Sequence, residues 1–164
     1  ALAPSITLHD TRNWRIAGRE VRLGLVARAV TDEDVWLYDR KSRTLLAGDL
    51  VTFPVPFFDT ACANGWQQAL HGLDAIAFKR VVPGHGPILS RAQFQQYVSA
   101  FDGLLACAAS PRSSADCAAQ WNAALGNLLP ASEQSRSAAM LDYYFTQVLR
   151  APQAPPACTP ADSH

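Results

Sequence analysis

The first 58 residues read as β structure, and around the first hairpin apolar and polar positions alternate with a period of two, the spacing of half-buried strands. Ile6 to Leu8 reads as a short first strand. Trp14 to Ile16, a turn at Ala17-Gly18, and Val21 to Val26 predict a hairpin. Val35 to Tyr38, the polar turn Asp39 to Arg43, and Thr44 to Ala47 predict another. Thr52 to Phe58 holds two prolines, so it reads as a loop and not a central strand, although an unusually apolar one. The period then becomes helical. Trp66, Ala69, Leu70 and Leu73 fall on one face of a helix over about Asn64 to Leu73. A buried strand is expected near Phe78 to Val82, ended by Pro83-Gly84-His85-Gly86-Pro87. Ser90 and Gln93 have the spacing of a capping box. The helix they open carries Phe94, Tyr97, Val98, Phe101 and Leu105 on its apolar side. Two more helices are predicted over about Ser114 to Leu128 and Ser132 to Leu149. From Ala151 the tail is rich in Pro and Ala and is expected to fray unless Cys158 pins it.

At 164 residues the chain is one domain's worth, and a hydrophobic content near half is enough for a core. The formal net charge is zero, which argues against a nucleic acid or an anionic membrane held by bulk electrostatics. No apolar run approaches the roughly 20 residues of a membrane span. The chain begins Ala-Leu-Ala-Pro and its only Met is Met140, so a processed product or a fragment is expected.

The four cysteines, Cys62, Cys107, Cys117 and Cys158, include no Cys-x-x-Cys pair, which argues against a structural zinc site. They permit two disulfides. Cys107 and Cys117 flank a short loop between two helical segments and make the preferred pair, with Cys62 and Cys158 left for each other. The alternative is four reduced thiols. The disulfide reading points to the periplasm or the exterior. A thiol-redox role for Cys107 and Cys117 is disfavoured by their spacing.

Two short motifs carry candidate chemistry: Leu46-Ala47-Gly48-Asp49-Leu50 and Val81-Val82-Pro83-Gly84-His85-Gly86-Pro87. Each is an apolar strand ending in one ligand-type side chain with glycine beside it. Rigid strands can aim such groups at a shared rim, and glycine lets backbone pass close to a site. Asp supplies oxygen and His nitrogen, both suited to zinc. Alone, each motif is weak, because an Asp after Gly or a His between two glycines is more often an ordinary turn or loop residue than a ligand.

Together, in this order and with a helix between them, the motifs resemble the metallo-β-lactamase superfamily. The resemblance runs from about Ile6 to Leu105 and covers the C-terminal half of that fold. It implies an α+β architecture, half of an αββα sandwich with an antiparallel or mixed sheet and helices on one face. Residues 107–150 would be a helical extension and residues 151–164 a tail. It implies a zinc-dependent hydrolase acting on a small molecule, with Asp49 and His85 as metal ligands. The catalytic groups remain unassigned.

Two departures qualify this. The family's main metal motif, His-x-His-x-Asp-His, is absent. Val30 stands where a further ligand His would be expected, and Val cannot bind metal. Asp34 fits a supporting position behind the ligands. Among substitutes for the missing His, Asp59 is preferred, with a helix N-cap as its ordinary reading. His9 and His71 are weaker, and His164 is terminal. Two ligands do not make a tight zinc site. The site is therefore expected to be completed by an N-terminal half in cis or another copy in trans, and the isolated chain is expected to be inactive. The rival expectation is an exported, non-catalytic binding module that dimerises through exposed sheet surface. The apolar loop Phe53 to Phe58 is either a substrate wall or a surface packed under the missing half.

Overall fold

The computed structural model describes residues 7–151 and Cys158. Ile6, the tail residues 152–157 and 159–164, and thus His164, lie outside the described residues. Thr7, Leu8 and exposed His9 form no strand.

Six strands form one sheet in sequential order: β1 (Arg12–Ile16), β2 (Arg19–Ala27), β3 (Glu33–Asp39), β4 (Thr44–Thr52), β5 (Arg80–His85) and β6 (Leu89–Ser90). All neighbours are antiparallel except β4 and β5, which run parallel. A parallel pair needs a crossover, and α1 (Ala63–Asp74) supplies it. Then come α2 (Arg91–Ala108), α3 (Ser114–Leu125) and α4 (Ala131–Tyr144), with a π-helical continuation over Phe145–Leu149. The mixed sheet with its helices is the expected α+β class.

The helices cover one face of the sheet. Trp36, Leu45, Ala47, Val81 and Leu89 are buried there, under the Trp66, Leu70 and Leu73 face of α1 and the Phe94, Tyr97 and Phe101 face of α2. The capping box at Ser90 and Gln93 forms as its spacing predicts, so α2 starts sharply after β6. Leu105, expected in the core, is only half-buried, and Leu104 takes that place. In α3, Trp121 and Leu125 pack inward, and α4 buries Leu141 and Tyr144. The preferred cysteine pairs both form disulfides: Cys107–Cys117 joins α2 to α3 at a Cα separation of 5.7 Å, and Cys62–Cys158 joins the start of α1 to the tail at 4.8 Å.

The opposite face is open. Residues directly across a ladder share a face, so the pairs Leu23–Leu37, Leu25–Val35 and Leu37–Leu46 set Leu23, Leu25, Val35, Leu37 and Leu46 on it. Val35 is 51% and Leu46 41% exposed.

Three local readings are corrected. Pro83 to His85 continues β5, because parallel β4 provides partners at Gly48 and Thr52 and breaks in register there tolerate a proline. For the same reason β4 runs on through Asp49 to Thr52 where only Ala47 was expected. Asp59 is not a helix N-cap, since α1 starts at Ala63 after Cys62.

Candidate metal centre

Asp49 and His85 come from the adjacent parallel strands β4 and β5: His85 ends β5, and Asp49 lies three residues before the end of β4. Gly48, at φ +55°, sits in the register break between them. A glycine tolerates that backbone, and the break turns Asp49 out of the core. The side chains of Asp49 and His85 are 54% and 59% exposed. Asp49 Oδ1 and His85 Nε2 stand 3.6 Å apart, too far for a hydrogen bond. That gap suits a shared ion, because two donors about 2.0–2.1 Å from a tetrahedral zinc stand about 3.4 Å from each other. Gly84 makes the room. A Cβ there would lie 2.1 Å from Asp49 Oδ1 and 2.9 Å from the Gly48 carbonyl carbon.

The rim is braced from behind. The Phe53 N–H donates to the His85 carbonyl at 3.0 Å. The Phe57 ring meets the His85 ring edge-on at 5.4 Å. The loop Thr52 to Phe58 is thus partly a wall beside His85, although Pro54, Val55, Pro56 and Phe58 are buried.

The other candidates lie elsewhere or are engaged. Val30 is 6% exposed, packed in the core, and Thr60 Oγ1 donates to its carbonyl at 2.9 Å. Asp34 accepts from the N–H groups of Val30 and Thr31, at 2.8 and 3.1 Å, and so holds the turn on which Val30 lies. Asp59 accepts from the Tyr144 hydroxyl at 2.7 Å, tying its loop to α4. Burial, and then the Asp59 carboxylate, raise the Tyr144 pKa, so the hydroxyl stays a donor. His71 faces Asp102 at 3.1 Å across α1 and α2. Among the described residues no group of three or more His, Cys, Asp and Glu side chains gathers to hold a metal. Asp49 and His85 fit two corners of a site and no more.

The Tyr97 and Trp121 contacts to the loop were missed in the sequence. The Tyr97 hydroxyl bonds both the N–H and the carbonyl of Thr52, at 3.3 Å each, and Trp121 Nε1 donates to the Pro54 carbonyl at 3.0 Å. The only signal was an aromatic residue at an apolar helical position, which any core would show.

No protein-family model and no curated protein sequence matches the chain. Solved structures do match. A metallo-β-lactamase from Pontibacter korlensis superposes with a TM-score of 0.52 at 21% identity, over 60% of this chain and 49% of its own. The metallo-β-lactamase IND-7 gives 0.53 at 17% identity, over 62% and 49%.

The chain has part of a metallo-β-lactamase fold.

It spans about half the length of the lactamase structures it matches. A variant of the sec-alkyl sulfatase PisA1 also shares the fold, with a TM-score of 0.56 at 15% identity. That match covers 89% of this chain and 27% of the sulfatase. About 18 residues of 164 then fall outside it, fewer than the 56 that follow Ala108, so it takes in residues of the helical segment after α2.

Proposed function

We propose that this chain is the C-terminal half of a metal-dependent hydrolase, with Asp49 and His85 as two ligands of a zinc centre. The observation that carries this is the 3.6 Å approach of an exposed carboxylate and an exposed imidazole across parallel strands, over a glycine with no room for a side chain. Bound there, zinc would supply an activated water and polarise the scissile bond. The chain's own part is to hold the two donors, with Phe57 beside His85. The remaining ligands come from a second half, in cis or from another copy. The open sheet face is where such a half fits, since an apolar sheet face needs a cover. The match to a sec-alkyl sulfatase, which reaches beyond α2, makes sec-alkyl sulfate esters the first compounds to assay. The two disulfides are compatible with an oxidising compartment, and the periplasm or exterior is proposed on that ground.

Cobalt(II) titration of the purified chain tests the ligand assignment. Weak binding that is lost in both Asp49→Ala and His85→Ala is expected. Binding unchanged in either variant would remove that residue from the site. Robust zinc-dependent hydrolysis by the chain alone would overturn its incompleteness.

A second reading rests on the same open face. Val35 and Leu46 lie exposed among apolar neighbours, which suits a non-catalytic module that pairs with a copy of itself. Sequence encoded upstream of Ala1 separates the readings: a His-x-His-x-Asp-His motif there supports the hydrolase, and its absence the module.

A further inference from the structure

Helix α3 packs against α2, and a line of ring contacts and backbone hydrogen bonds links it to the His85 turn. Trp121 on α3 is 1% exposed and donates its indole N–H to the Pro54 carbonyl at 3.0 Å. Its ring meets Tyr97 of α2 edge-on at 5.7 Å. Tyr97, fully buried, bonds both backbone groups of Thr52 and packs on Phe53 at 5.4 Å. Burial raises its pKa, which keeps the hydroxyl neutral and able to donate. Phe53 then touches the ligand turn twice. Its N–H donates to the His85 carbonyl, and its ring occupies the space a side chain at Gly86 would need, 2.5 Å from the Cβ position. Gly86 has φ +119°, a backbone that other residues rarely adopt, so this turn is held by its neighbours as well as by its sequence.

We infer that Trp121 and Tyr97 are positioning residues for His85: the segment after α2 sets the ligand turn through Pro54, Thr52 and Phe53. Interiors are close-packed, so a displaced ring passes its displacement to the next one. The functional weight of this rests on His85 being a ligand, but the structural claim does not need metal. A ligand held by packing and backbone bonds is pre-set for its ion, and one whose support shifts is not.

The test compares Trp121→Phe and Tyr97→Phe with Leu141→Val in the full 164-residue chain, by NMR of the Gly86 amide and the His85 ring without metal. Leu141 is buried on α4, outside the line of contacts, and serves as the control for lost stability. Both aromatic variants are expected to shift or broaden the Gly86 and His85 signals, while Leu141→Val lowers the melting temperature and leaves those signals in place. Should Trp121→Phe fail to fold, Tyr97→Phe, which removes a single oxygen, decides alone. Unmoved Gly86 and His85 signals in the folded aromatic variants, or equal shifts in the control, would overturn the inference. Cobalt(II) titration of the same samples separates the two readings. Shifted signals with no metal bound by the unsubstituted chain uphold the positioning and show that Asp49 and His85 hold no ion without the completing half.

Discussion

At Gly84 the whole candidate centre depends on a missing methyl group. Alanine there would press on the Asp49 carboxylate and on backbone at Gly48, which cannot swing aside. Gly84→Ala is expected to cost about 1–3 kcal/mol in urea denaturation, in the range of overpacked sites, and to abolish cobalt binding. Asp39 is the other residue whose setting has a measurable consequence. Its side-chain bonds to Arg19 and Ser42 pull its pKa from 3.8 to about 2. A carboxylate with a lowered folded-state pKa stabilises fully above its unfolded value and loses that contribution as pH falls through the folded one. The chain is therefore expected to lose stability between about pH 4 and pH 2. Asp39→Asn should flatten that part of the pH profile, read as melting temperature against pH. An unchanged slope would mean the Arg19 pair does not persist in solution.

The β4–β5 pair is the element that makes the site. Antiparallel strands would carry their C-terminal ends in opposite directions, whereas a parallel pair brings both to one rim. The α1 crossover is what permits the pairing, and the Trp66 indole N–H ties α1 to β4 through the Leu50 carbonyl at 2.9 Å. The disulfides act on the helical elements. Cys107–Cys117 closes a loop of sequence separation 10. Its removal by paired Ser substitution should lower stability by about 2–3 kcal/mol on the chain-entropy view. Cys62–Cys158 has a separation of 96, for which the same view expects about 4–5 kcal/mol. Denaturation of the two double variants ranks them, and a larger loss for the short loop would show that strain or local packing outweighs chain entropy. Their periods foretold the helices and most strands. The boundary at Pro83 was misjudged because a proline ends a strand only where its missing N–H matters, and that depends on the neighbouring strand.

For the whole molecule, the imbalance between the two sheet faces is the dominant feature. One face carries four helices' worth of core, and the other shows Leu23, Leu25, Val35, Leu37 and Leu46 partly to solvent. Replacing Val35 and Leu46 with Lys should change the stability of the isolated chain by no more than about 0.5 kcal/mol each, as for exposed positions in general. The same changes should weaken either self-association or binding of a completing half, measured by sedimentation. If the double variant instead unfolds, that face is buried in solution by something already within the chain. The partial coverage agrees with this picture, since the matched lactamase structures are about twice as long as the part they share.

Periodicity, capping and turn chemistry are local, so the sequence by itself determined the α+β class, the helix faces and the Ser90 cap, and it singled out Asp49 and His85 as the candidate ligands. The cysteine pairing was also within reach, because a short loop between two helices favours its own closure. Tertiary structure decided what depends on residues far apart. It placed Asp49 and His85 3.6 Å apart, 36 positions from each other in the chain. It gave Asp59 to Tyr144, 85 positions away, and Pro54 to Trp121, 67 positions away. It also left one face of the sheet uncovered. No pattern of neighbours along a chain encodes those distances, because they are set by how the sheet and helices pack, and packing is a property of the whole.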